Sequence, residues 1–105
     1  MSFTSMYNIQ LKLEDNGRGA FVIEEGDERL AEMAVAITKD NLTVFHTQVN
    51  DKLKGQGIAS QLLSTMVEYV KKNKLKVIAL CPYVSAQFQR RPDQYADIWN
   101  QTWHK

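Results

Sequence analysis

The apolar residues of this chain recur at every second position as far as Val49 and at helical spacing from Ile58 onward. The stretch between them, "NDKLKGQG", carries two closely spaced glycines. A period of two belongs to a half-buried strand and a period of about 3.6 to an amphipathic helix, so the break divides a sheet-forming half from a helix-led half. In the first half, "YNIQLKLE" puts Ile9, Leu11 and Leu13 on one face and Gln10 and Lys12 on the other. "AFVIEE", "RLAEMAVAIT" and "NLTVFHTQV" repeat the theme, separated by the turn signals "DNGRG", "EGDE" and "TKDN". These features predict four strands joined as an antiparallel meander.

After the glycines, Ile58, Leu62, Met66 and Val70 form one apolar stripe, flanked by Ala59, Leu63 and Val67, with polar residues elsewhere. The run "LKVIALC" that follows does not alternate, as expected of a strand buried on both faces. Strand, helix and strand then make a right-handed crossover to a parallel strand. Beyond Pro82, "YVSAQFQR" predicts a short helix. "PDQYADIWNQTW" predicts another, with Tyr95, Trp99 and Trp103 at intervals of four as a core-packing stripe. The fold class is therefore α/β: an antiparallel meander, a helix crossover to a parallel strand, and C-terminal helices.

At 105 residues, with no repeat, low-complexity segment or linker composition, the whole span 1–105 reads as a single domain. Thirteen basic against twelve acidic residues leave a net charge of +1, which favours neither nucleic acid nor an anionic membrane. The first residues, "MSFTSMYNIQ", lack the pattern of a secretory signal, and no run approaches the roughly 18 apolar residues of a membrane span. Cys81 is the sole cysteine, so an internal disulfide is excluded. A cytoplasmic, reducing environment is the expectation. His46, His104 and Cys81 have none of the short spacings of a zinc site, so no metal is expected, and no G-x-S-x-G elbow marks a serine hydrolase.

A strand that ends in a glycine turn and opens a helix offers unpaired N–H groups and the positive end of the helix dipole to an anion. "GQGIAS" matches the dinucleotide fingerprint in part. That reading fails, because the fingerprint requires an acidic residue about 20 positions further on, and no Asp or Glu stands between Glu68 and Asp93. The Walker pattern fails as well, since neither glycine is followed by Lys-Ser or Lys-Thr. Taken alone, the two glycines fit a phosphate cradle or only a tight turn.

"VNDKLKGQGIASQLL" resembles the acyl-CoA-binding segment of the GNAT superfamily of N-acetyltransferases. That segment has Arg or Gln, two residues, Gly, one residue, then Gly or Ala. Lys54, Gly57 and Ala59 fill those places, with Lys at the first, and Val49 matches the valine that ends the family's preceding strand. The longer run "HTQVNDKLKGQGIASQLL…LKVIALCPYV" is similar to a minimal subgroup that keeps only this core. The resemblance covers about residues 40–100 and reaches the earlier strands by topology alone.

The resemblance implies acetyl-CoA as acyl donor and an amine as acceptor. It implies backbone contacts from Thr47 and Val49 to the pantetheine arm, and a pyrophosphate cradle from Lys54, Gly55, Gln56, Gly57, Ile58, Ala59 and Ser60. The family's strand glutamate falls at Gln48, which cannot act as a base, and its helix tyrosine falls at Arg90. His46, two residues before Gln48 on the same face, is the candidate base, or else a structural strand histidine. Arg90 and Arg91 read as a solvated helix end or as a site for a ligand phosphate.

Cys81, between the end of a buried strand and the start of a helix, is the candidate to protonate the departing CoA thiolate or to carry the acyl group. Its alternative role is to pack in the core. Tyr83 is the other candidate acid. The expected function is acetyl transfer to an amine, with protein and peptide amines among the candidates, by a monomer or weak dimer; the competing class is a non-catalytic acyl-CoA-binding or sensor module.

Overall fold

The alternating half of the sequence folds as an antiparallel meander. In the computed structural model, which describes residues 8–101, β1 (Gln10–Leu13), β2 (Arg18–Glu25), β3 (Glu28–Thr38) and β4 (Asn41–Val49) pair in chain order, and β5 (Lys76–Ala79) adds to β4 in parallel. Two-residue connections at Gly26–Asp27 and Lys39–Asp40 join β2 to β3 and β3 to β4, with positive φ at Gly26 and Lys39 as such tight hairpins demand. β1 is shorter than its sequence pattern. Ile9 and Leu11 pack against the core, but Leu13 is exposed at 43% because its cross-strand partner is Gly19, which offers no side chain to pack on. Tyr7, the first residue of the expected strand, lies outside the described residues.

One irregularity decides which way β4 presents its last residues. Val35 pairs with Val44 and Ala34 with His46, so Phe45 is an extra residue, a β-bulge. Before the bulge Leu42 and Val44 are buried in the core. After it Thr47 stands in the row of Met33 on the core side, while His46 and Gln48 stand on the other side.

The helices cover one face of the sheet. α1 (Ile58–Lys72) buries Ile58, Leu62, Leu63, Met66 and Val70, and α2 (Pro82–Arg90) buries Val84 and Phe88, all in one cluster with Phe21, Met33, Val35, Leu42, Val44 and Val77 of the sheet. Each fully buried side chain of this size contributes about 1.5–3 kcal/mol, against about 0–1 kcal/mol for an exposed ion pair. The apolar layer therefore holds the fold. Among the described residues, no helix is long and apolar enough to cross a membrane.

The C-terminal stretch departs from its periodicity. The helix expected over residues 92–103 is only α3 (Pro92–Tyr95), and Trp99 instead makes a parallel bridge with Val77. Val77 N donates to Ile98 O at 2.6 Å and Asn100 N to Val77 O at 2.9 Å. The outer edge of β5 thus gains backbone partners that a continued helix would have withheld, and that need overrides the local spacing. Tyr95 and Trp99 still pack as expected: Tyr95 stacks on Phe88 at 4.5 Å between centroids and Trp99 meets it edge-on at 5.4 Å. Trp103 lies outside the described residues.

Phe88 is thus the piece that joins α2, α3 and the Trp99 segment. Phe88→Ala should lower unfolding stability by about 3–5 kcal/mol, read as a shift of the denaturant midpoint. Arg90→Ala, at an exposed position on the same helix, should change stability by no more than about 0.5 kcal/mol.

Candidate active site

Parallel pairing between β4 and β5 lasts four residue pairs, from Asn41 with Lys76 to Val44 with Ala79. There it stops. The N–H groups of Leu80 and Cys81 both donate to Val44 O, at 3.1 and 2.9 Å, and Pro82 then opens α2. β4 continues to Val49 with β3 as its only strand neighbour among the described residues. Asn50 N donates to Leu30 O at 2.8 Å, so Asn50 faces Leu30 as a hydrogen-bonded pair, and the antiparallel alternation fixes the rest. Gln48 and His46 turn their backbone groups toward β3, and Thr47 and Val49 turn theirs into the gap that β5 has left.

The turn after β4 leads to a helix end with no cap. Asn50 caps a 3-10 turn (Asp51–Leu53) by accepting from Lys52 N at 2.8 Å, and buried Leu53 anchors it. Gly57, at φ 70°, is the N-cap of α1. It has no side chain to satisfy the first amides, and the first turn holds no acidic residue. The N–H groups of Ile58, Ala59 and Ser60 lack intrahelical acceptors, since the ladder begins with Gln61 N donating to Gly57 O at 3.1 Å. A Cβ added at Gly55 or Gly57 would meet nothing within 4 Å, so the space before these amides is empty of protein. The positive helix end and its free amides suit an anion.

A cavity of about 330 Å³ joins this turn to the gap. Lys54, Gly55, Gly57, Ile58, Ala59 and Ser60 line it together with Val49 and Tyr83. Gln56 is not part of the lining; its side chain reaches back to the Lys52 carbonyl at 3.5 Å. Thr47 lies on the far side of Val49 in the gap, with Oγ1 3.4 Å from Cys81 Sγ. Cys81 is the N-cap of α2 and 1% exposed. Burial, with smaller contributions from Tyr95 and Cys81, holds the Tyr83 phenol above the usual tyrosine range, so it keeps its proton at neutral pH and can donate it.

The structure does not bring His46 to Cys81. Thr47 and Cys81 meet on the helix side, whereas His46 is on the opposite side with its Nε2 2.8 Å from Glu32 Oε2. Glu32 stands directly across from Gln48, and its other oxygen accepts from Arg29 at 3.1 Å. The hydrogen bond from His46, and after it the one from Arg29, holds the Glu32 carboxyl below the usual glutamate range despite partial burial. Sequence reasoning missed Glu32, because nothing local marks the residue that cross-strand register will set beside His46. Arg90 and Arg91 lie at the far end of α2, exposed, and line none of the cavities near the turn.

A sequence profile of the GCN5-related N-acetyl-transferase family matches residues 20–98. The chain belongs to this family. Its structure is similar to the solution structure of a GCN5-like N-acetyltransferase candidate from Staphylococcus aureus, with 31% identity and a TM-score of 0.66. That match covers 94% of this chain and 95% of the other. The fold is also shared with a ribosomal-protein-alanine N-acetyltransferase from Brucella melitensis biovar Abortus 2308, at 15% identity and a TM-score of 0.59, over 87% of this chain and 68% of that one. No match was found among curated proteins. The GNAT chain therefore has the fold expected of it, an antiparallel meander followed by a helix crossover to a parallel strand.

The Glu32 contacts give a pH dependence. A carboxyl held below its unfolded value contributes stability above the usual glutamate range and loses it as pH falls through the lowered value. Wild-type stability should fall as the pH drops through and below the usual glutamate range. Glu32→Gln should be less stable at neutral pH and fall less steeply over that window, as followed by thermal unfolding at a series of pH values.

Proposed function

We propose that this GNAT chain transfers the acetyl group of acetyl-CoA to an amine. One coincidence carries the reading: the strand whose last residues lose their parallel partner is the strand that runs into the uncapped helix end, and one cavity connects the two. The pyrophosphate takes the amides of Gln56 to Ser60, with Lys54 beside them. The pantetheine arm pairs with the outward backbone groups of Thr47 and Val49 as a short surrogate strand, so the thioester comes to rest near Thr47 and Cys81.

The acceptor ammonium first gives up one proton, and His46 is the base. Its neutral nitrogen then attacks the thioester carbonyl carbon. The C–N bond forms, the C–S bond breaks, the CoA thiolate takes a proton from the acid, and the second proton of the acylated nitrogen passes back to that acid, which restores it. Cys81 is assigned as the donor to that sulfur, with the protonated Tyr83 as the alternative. Val49 walls both the 330 Å³ cavity and a second cavity of about 530 Å³ that includes Arg29, Glu32 and Gln48. The donor thus enters from the helix side and the amine from the side of Glu32, where the breadth of the opening suits an amine on a peptide or protein.

Titration with acetyl-CoA should move the amide resonances of residues 56–60 most; largest shifts around Trp99 would place the ligand elsewhere. Gly57→Val should weaken binding by about tenfold or more, the worth of one charge-assisted hydrogen bond; a φ of 70° strains a β-branched residue there, so the loss is read on a variant whose amide spectrum shows it folded. Cys81→Ala should slow transfer by about 10²-fold or more and leave acetyl-CoA affinity within about threefold. Wild-type turnover in Cys81→Ala would move the acid role to Tyr83. Mass spectrometry after acetyl-CoA treatment would reveal an acyl group held on the thiol. Binding without thiol release across a mixed amine panel would identify a binding module instead.

A further inference from the structure

On the side of the sheet away from the helices, four strands converge on His46. Lys12, Ala20, Ala34 and His46 share one cross-strand row, and Gln10, Val22, Glu32 and Gln48 share the next. Lys12 Nζ reaches Glu24 at 2.6 Å, Arg29 bridges Glu24 and Glu32 at 3.0 and 3.1 Å, and Glu32 closes on His46 at 2.8 Å. The groups around the imidazole are therefore Glu32 and Arg29 from β3, Lys12 from β1, Gln48 from β4 itself, and Arg18 from β2, whose guanidinium stacks over Phe45. Of these, Glu32 is the one in contact with the ring.

We infer that Glu32 is the positioning residue for His46 in acetyl transfer, an assignment that rests on the proposed function above. A carboxylate 2.8 Å from Nε2 accepts the Nε2–H bond. The imidazole is then fixed in the tautomer whose Nδ1 carries the lone pair. Arg29 occupies the other carboxylate oxygen, so Glu32 cannot rotate away without losing a second charged partner. His46 Nδ1 takes the proton from the acceptor ammonium and returns it to solvent after the C–N bond has formed, and Glu32 stays ionised throughout. The carboxylate beside the base thus comes from the neighbouring strand, at the position directly across from Gln48.

The test has two readouts. Two-bond proton–nitrogen spectra of the histidine rings should give His46 in the Nε2–H form in wild type and a mixture of tautomers in Glu32→Ala. Acetyl transfer to a tripeptide with a free N-terminus and one lysine, followed by thiol release, should drop at least tenfold in kcat for both Glu32→Ala and His46→Ala. The double variant should be no slower than His46→Ala alone, acetyl-CoA affinity should stay within twofold, and Glu32→Asp should recover part of the rate. An unchanged tautomer in Glu32→Ala, or wild-type kcat in that variant, overturns the assignment and leaves acetyl transfer standing. A wild-type protein that binds acetyl-CoA and transfers to neither amine of the tripeptide overturns both.

Discussion

The Val44 carbonyl accepts from two successive amides, those of Leu80 and Cys81, and this fork ends the parallel pairing of β4 with β5. Pro82 follows with no N–H to give and a φ already suited to the first turn of a helix, so the chain leaves the sheet there rather than a residue later. Everything at the site follows from that departure. It empties the space beside Thr47 and Val49, sets Cys81 at the start of α2 against Thr47, and sends Val84 and Phe88 into the core as α2 folds back over the sheet. The bulge at Phe45 lies one residue past the fork and turns β4 so that Thr47, rather than His46, faces the helices.

What the sequence reveals and what it hides divide by distance along the chain. The stripe Ile58, Leu62, Met66 and Val70, the glycines ahead of it and the strand that stops before Pro82 are local patterns, and the structure places each where its pattern predicts. The residues of the turn, from Lys54 to Ser60, are also a local pattern, and all but Gln56 line one cavity. The bulge and the pairing of Glu32 with Gln48 come from register between strands separated by a hairpin, and no window of sequence contains them. The C-terminal error has another origin. An interval of four between Tyr95 and Trp99 is helical on its face, and Trp99 N still donates to Tyr95 O, yet the helix goes no further because Trp99 bridges to the outer edge of β5.

The two sides of β4 keep different chemistry apart. On the helix side lie an uncapped helix end, a buried thiol and a phenol that keeps its proton, all suited to an anion and a leaving sulfur. On the other side lie two carboxylates, two guanidinium groups, an ammonium and an imidazole, most of them linked by ion pairs. In the proposed transfer a thioester lying in the plane of the sheet is approachable from both faces, so His46 and Cys81 need not touch: each is assigned a different proton.

The outward amides of Thr47 and Val49 are the groups to watch, because among the described residues no strand pairs with them on that side. Hydrogen exchange of these two amides should be fast in the free protein, while the β3-paired amides of His46 and Gln48 exchange slowly. With saturating acetyl-CoA, Thr47 and Val49 should slow by at least tenfold and the β3-paired amides should change little. Acetyl-CoA binding that leaves Thr47 and Val49 exchanging as in the free protein would contradict the central claim, that the departed strand is replaced by the ligand.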